Sequence, residues 1–371
     1  MQYMANYKNL VVGAGLSGAI AARKIAEEFG EPVVIIDAKD HIGGNIYDYR
    51  QNNILVHKYG PHIFHTNDKK VWDFISCFTK WYPYQHRVLG LIDGIFAPIP
   101  FNLNSLRMVF PRTMADNIEA KLLNKFGFNI KIPILELRNT DDKDLNFLAE
   151  YIYQKIFLKY TIKQWGLSPD KIDPSVSGRI PVYISRDDRY FQDKYQGVPL
   201  HGYTKMLEEM IDHRLIEVQL NTPFSHDLKY DRLFWTGSID CFFDYEFGTL
   251  PYRSVIFDFI MLSQEKFQDA AQVNYPTNYD FTRITEYKHF LCEKSDSTIV
   301  SYEYPTEWKD GENERQYPIA NDANSALYAK YIDKAKNLPN VYFFGRLGDY
   351  RYYDMDRAAA RALELLEGLK K

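Results

Sequence analysis

Residues 10–45 read LVVGAGLSGAIAARKIAEEFGEPVVIIDAKDHIGGN, and the fold follows from how this stretch is punctuated. Leu10-Val11-Val12 is a short apolar run that passes directly into Gly13-x-Gly15-x-x-Gly18; Ala19, Ala21, Ala22, Ile25 and Ala26 then give a helix with one small, close-packing face. This is a strand, a tight turn and a helix. Gly13 permits the turn, Gly15 lets backbone approach a pyrophosphate, and Gly18 lets the helix lie on the strand. The N–H groups and dipole at such a helix N-terminus suit an anion.

A second apolar run, Val33-Val34-Ile35-Ile36, ends in Asp37. An acid at this spacing holds a ribose 2′-hydroxyl and argues against a 2′-phosphate. His41-Ile42-Gly43-Gly44-Asn45 follows, a second glycine pair that resembles the extended dinucleotide fingerprint of FAD proteins rather than that of NAD dehydrogenases.

The 371 residues suffice for one large domain or two to three smaller ones. No stretch approaches the ~20 apolar residues of a membrane span, and the N-terminus lacks the pattern of a signal peptide, so a soluble cytoplasmic protein is expected. Cys77, Cys241 and Cys292 are few and far apart, which suggests neither a disulfide framework nor a zinc site. A net charge of −4 without a basic block disfavours nucleic acid as partner. The 29 Tyr and 24 Phe offer faces and hydroxyls suited to a base or a sugar.

Further along, 46–56 suggests a hairpin leading into HKYGPHIFHT (57–66). Its three histidines invite a metal, yet Gly60-Pro61 imposes a bent path and no Cys or carboxylate cluster accompanies them. The reading is a loop that lays backbone and one imidazole against a cofactor ring, with no metal. From about Pro100 helices are expected, one capped by Thr113 and ended by Gly127, another from near Asp144 to Gly166. On the last turns of the latter, Phe157, Tyr160, Thr161, Gln164 and Trp165 recur at spacings of three and four and share one face; aromatics so spaced are usually core, but Thr161 and Gln164 suit a dry core poorly. The proline- and charge-rich 168–193 is expected to be a mobile loop carrying Arg179, and alternating strands between Tyr252 and Tyr304 imply an antiparallel sheet.

The fold expected is α/β: a Rossmann-like FAD-binding domain (1–80, 200–240 and 340–371), a helical insertion (100–175) and an antiparallel β-sheet substrate domain (81–99, 176–199 and 241–339).

Taken together, GAGLSGA (13–19), DHIGGNIYD (40–48), HKYGPHIFHTND (57–68), YTIKQWG (160–166), GRIPV (178–182), DKYQGVP (193–199), GYTKM (202–206), YEFGTLPYRS (245–254), FTRITEYKHF (281–290) and FGRLGDYRYYDMD (344–356) resemble the bacterial UDP-galactopyranose mutases over nearly the whole chain. The resemblance implies a homodimeric flavoenzyme that interconverts UDP-galactopyranose and UDP-galactofuranose through a covalent sugar adduct at N5 of reduced FAD, with no net redox change.

It also implies roles. Arg179 and Arg283 take the charge of the departing diphosphate, with Arg253 beside them. Phe157 and Tyr160 hold the uracil, with Thr161 and Trp165 near; Tyr190, Tyr317 and Tyr352 donate hydroxyls, and Asn274 faces the UDP. Gly13, Gly15, Ser17, Gly18, Asp37, Asn45, Arg346, Tyr353, Asp354 and Met355 contact FAD. Ile63 and His62 lie by its ring, His62 close enough to matter for proton placement.

Two positions depart from the pattern. His86 replaces an asparagine that contacts substrate, and Lys159 replaces a glycine. An imidazole can become charged, so His86 is taken only as a site neighbour, and a more basic wall leaves UDP-N-acetylgalactosamine open as substrate. Outside the mutases, the alternatives are an amine-oxidase-like flavin oxidoreductase and a flavin-free protein like the GDP-dissociation inhibitors. The intact glycines and Asp37 oppose the last.

Overall fold

The computed structural model describes residues 6–169, 181–319 and 321–370; Arg179 lies outside them. Strand β1 (Asn6–Val12) is the middle of a five-stranded parallel sheet. Its order is Ile216–Gln219, β2 (Val33–Ile36), β1, Lys229–Trp235, Val341–Phe343. Period-two alternation assigns its residues to two cores: Val11 packs with helix α1 (Leu16–Lys24) and with Tyr203–Ile211 and Met355–Gly368, while Leu10 faces the other way.

That second face is covered by Phe242, Phe243, Leu250 and Tyr331, the last from the helix Asp322–Ala335. These segments were expected in the antiparallel domain. They pack on the parallel sheet instead, because such a sheet must be buried on both faces.

The helical insertion has its own core, with Leu106, Ile118, Leu122, Leu148 and Ile152 at its centre. Thr113 is not its cap: Pro111 opens the helix Arg112–Phe126, and Gly127, at φ 87°, closes it as expected. After a short helix, Ile134–Arg138, the second expected helix starts one residue before Asp144, because Asp142 accepts from the Asp144 and Leu145 N–H groups. Lys143–Ile152 runs through a π-turn, Tyr153–Leu158, into α2 (Lys159–Trp165), and Gly166 at φ 72° ends it.

Val182–Ile184 pairs with Ile130–Ile132 inside this unit, Asn102 donates to Asp188 at 2.9 Å and Arg186 pairs with Glu119 at 2.6 Å. So the described part of the expected mobile loop is tied down. Tyr195–Pro199 pairs with Phe64–Thr66 and Trp81–Tyr82, and neither stretch joins the large sheet to which 176–199 was assigned.

The large sheet has seven strands: Tyr317–Pro318, β4 (Tyr252–Leu262), β7 (Thr298–Glu307), β6 (Arg283–Glu286), β5 (Gln272–Asn274), β3 (Val88–Ile92) and Ile95–Ile99. It is antiparallel except where β5 meets β3. Among the described residues no helix is long and apolar enough to cross a membrane.

Candidate active site

Two clefts lie between these units. The larger, about 630 Å³, is lined by Gly13, Gly15, Ser17, Asp37 and Asn45 at the end of β1 and β2. Gly13, at φ +106°, leaves no room for a side chain: a Cβ would stand 2.1 Å from Thr236 Oγ1. Gly18 does not line the cleft; its bare Cα lets α1 touch the turn, a Cβ there meeting Gly13 O at 1.9 Å. Gly15 differs. Its Cβ would meet nothing closer than Gly44 Cα at 3.7 Å, so what its missing side chain frees is the cleft.

α1 has no side-chain cap, so its first N–H groups are available to an anion. Gly43 N–H donates to Ala14 O at 2.9 Å and binds the second glycine pair to the first. Asp37 accepts from the N–H of Ala14 at 2.8 Å and of Lys39 at 2.9 Å, which shapes the turn and leaves lone pairs for a ribose. This donor set fits a dinucleotide.

The smaller cleft, about 310 Å³, brings together His62, Ile63, His86, Tyr160, Trp165 and Tyr190 with Arg283, Tyr317, Arg346, Tyr352, Asp354 and Met355. Arg346 and Met355 also line the larger one, so the two clefts share a wall. The rings of Tyr317 and Tyr352 stack at 5.5 Å, Trp165 tilts onto both, and the Arg346 guanidinium lies 5.5 and 5.6 Å from them. Arg346 is anchored by donating to Tyr353 O at 2.7 Å; Tyr353 thus serves through its carbonyl while its hydroxyl donates to Asp349.

The histidines of 57–65 take separate paths. His57 stacks on Phe290 at 5.3 Å, and His65 pairs with Asp193 at 2.9 Å. His62 donates Nδ1–H to Gly60 O at 2.7 Å, which leaves the lone pair on Nε2. Burial, aided by Arg346 and Arg283, pulls its pKa down to about 3. Burial and Arg283 do the same to His86, also to about 3, so the charged imidazole anticipated at that position does not form near neutrality. Burial pushes the Tyr160 and Tyr317 hydroxyls upward and keeps them as donors.

Besides Gly18, four expected substrate contacts do not line the clefts. Phe157 lies within the π-turn and is buried in the helical core, and Thr161 is not among the residues lining the cleft, which Tyr160, Gln164 and Trp165 face. Arg253 donates to Gln164 O at 2.9 Å and Lys163 O at 3.0 Å, capping α2. Asn274 sits behind Gln272, which does line the cleft and went unnoticed although it is two residues away on the same strand face. Glu303, which pairs with Arg283, was also missed: a buried acid gives no local signal in sequence.

The UDP-galactopyranose mutase family model matches residues 155–352, and the model of an NAD(P)-binding Rossmann-like domain matches 11–78. A protein of Klebsiella pneumoniae named "Probable UDP-galactopyranose mutase" is 38% identical over 97% of this chain and 94% of its own length. The chain belongs to the UDP-galactopyranose mutase family. Like its relatives in the UDP-galactopyranose mutase family it is an isomerase, built on a nucleotide-binding Rossmann domain. One relative in that range, the dTDP-fucopyranose mutase of Escherichia coli, is 35% identical over 96% of this chain and 97% of its own length. The crystal structure of a reduced UDP-galactopyranose mutase shares the fold, with a TM-score of 0.74 at 15% identity, covering 99% of this chain and 94% of that one.

Proposed function

We propose that the protein holds FAD in the larger cleft and interconverts UDP-galactopyranose and UDP-galactofuranose in the smaller one. The observation that carries this reading is the shared wall: Arg346 and Met355 line both the cleft of Gly13, Gly15 and Asp37, which would cradle a flavin nucleotide, and the cleft of His62 and Arg283. Reduced FAD, when bound, supplies a nucleophilic N5 for the anomeric carbon as UDP departs.

The chain's own groups do the rest. Arg283 and Arg346 face the diphosphate whose negative charge grows as the bond breaks, and Tyr160, Tyr317 and Tyr352 offer it hydroxyls. Trp165 and Tyr160 border the uridine. His62, neutral with Nε2 unprotonated, accepts a hydrogen bond from a sugar hydroxyl and does not add charge. Ring opening and closure move a proton between sugar oxygens, and Nε2 orients the hydroxyl concerned without itself taking the charge.

The test is incubation of the dithionite-reduced protein with UDP-galactofuranose and chromatography of the products; appearance of UDP-galactopyranose is expected. No conversion would overturn the reading. The dTDP-fucopyranose mutase relative makes dTDP-fucofuranose the comparison substrate, and UDP-N-acetylgalactofuranosamine tests the amide-bearing sugar.

A further inference from the structure

The floor of the smaller cleft is one face of the large sheet. Cross-strand register places Asn274 opposite Arg283, Arg283 opposite Glu303 and Gln272 opposite Thr285, and directly opposed residues project from the same face. Two hydrogen-bonded sets divide that face. One is charged: Arg283 and Thr285 both donate to Glu303. The other is neutral: His86, Gln272 and Asn274.

In the neutral set every proton has a direction. His86 is buried and uncharged, so it has one N–H and one lone pair. Its Nδ1 lies 3.3 Å from the Tyr84 hydroxyl, and Gln272 neighbours the ring as a hydrogen-bonding group that favours its protonated form, which suits the amide oxygen on that side. The Gln272 Nε2 donates to Asn274 Oδ1 at 3.1 Å. An amide nitrogen carries two hydrogens, and among the described residues the second has no acceptor. Gln272 is only 4% exposed and lines the cleft. A buried N–H without an acceptor is costly, so what this wall lacks is an oxygen supplied by a ligand.

We propose that Gln272, held in orientation by His86 and Asn274, is a specificity-determining residue that donates its free N–H to one hydroxyl oxygen of the substrate sugar. The proposal rests on the nucleotide-sugar reading above. Tyr84 and His86 act through Gln272 and are positioning residues: by fixing which end of the amide is oxygen, they make the wall a donor. A deoxy sugar leaves that donor unpaired. An apolar or acceptor side chain at 272 abolishes the distinction.

The experiment crosses two truncations. The reduced parent protein, Gln272→Leu, the near-isosteric Gln272→Glu and His86→Asn are each assayed for kcat/KM with UDP-galactofuranose and its 2-, 3- and 6-deoxy analogues. The parent is expected to reject one analogue by roughly 10- to 100-fold, the size of a lost hydrogen bond to a buried donor. In Gln272→Leu and Gln272→Glu that preference alone falls to within about threefold, and in His86→Asn it falls partway. UDP titration of each variant reports whether the nucleotide end is intact; should Gln272→Leu not bind UDP, Gln272→Glu carries the comparison. Unchanged ratios in a UDP-binding Gln272 variant overturn the inference while the mutase reading stands. A parent that converts no UDP-sugar overturns both.

Discussion

Glu303 holds Arg283 by its Nε at 2.5 Å, leaving both Nη groups outside the ion pair, and Arg283 lines the smaller cleft from that position. Burial pushes the Glu303 carboxyl above its ordinary value while Arg283 opposes the shift. Removal of the acid strands a guanidinium in the interior. Glu303→Ala should therefore lose about 3 kcal/mol of stability in urea unfolding. Glu303→Gln, which keeps the shape, should recover most of that yet lower kcat by roughly tenfold through a misaligned arginine. Full activity in Glu303→Gln would show that Arg283 needs no such holder.

The histidines His57, His62 and His86 all have pKa values pulled down to about 3, in each case chiefly by desolvation, from an ordinary 6.5. Between those values the unfolded chain binds protons that the folded chain refuses, so stability is intact above 6.5 and falls as the pH drops below it. Each site contributes up to ~1.4 kcal/mol per pH unit. Melting curves at pH 7 and pH 5 should show the loss, and His86→Asn should reduce its slope by roughly a third if each site contributes alike. A slope unaffected by that substitution would mean His86 is protonated in the fold.

Gly15 and Gly18 separate cofactor binding from folding. Gly15 has φ −83°, open to any residue, and its Cβ would meet nothing closer than 3.7 Å. Gly15→Ala should melt within a few degrees of the parent but purify without flavin absorption, because the methyl occupies the pyrophosphate's approach. Gly18→Ala drives a methyl to 1.9 Å from Gly13 O and should fail to yield folded protein. Retention of flavin by Gly15→Ala would move the pyrophosphate elsewhere.

Arg253 clamps the carbonyls of Lys163 and Gln164 and so fixes the end of α2, where Trp165 meets the cleft. Arg253→Met should raise KM for the nucleotide sugar about tenfold with a smaller change in kcat, and leave flavin content intact. An effect on kcat alone would place Arg253 at the reacting atoms instead.

The Rossmann half was legible because each glycine's role is local: a turn, an approach and a packing contact lie within six residues. Roles that depend on distant partners were hidden. Arg253 sits in a matched motif, but its acceptors lie 89 and 90 residues away, and no spacing rule joins them. Phe157 sits inside a π-turn and packs into the helical core, and a wider helical repeat of that kind is not registered by a pattern of threes and fours. Gln272 was within reach: on a strand, a residue two before a suspected contact shares its face.

Because Arg346 and Met355 belong to both chambers, a cofactor in one and a sugar nucleotide in the other would be neighbours through a common partition. Occupancy of one side that reorients the arginine alters the affinity of the other, and thermodynamic reciprocity requires the return effect to be equally large. Loading order then becomes a property of the architecture, and titrations of UDP against flavin-depleted and flavin-replete protein will differ by the same factor that flavin affinity gains from UDP.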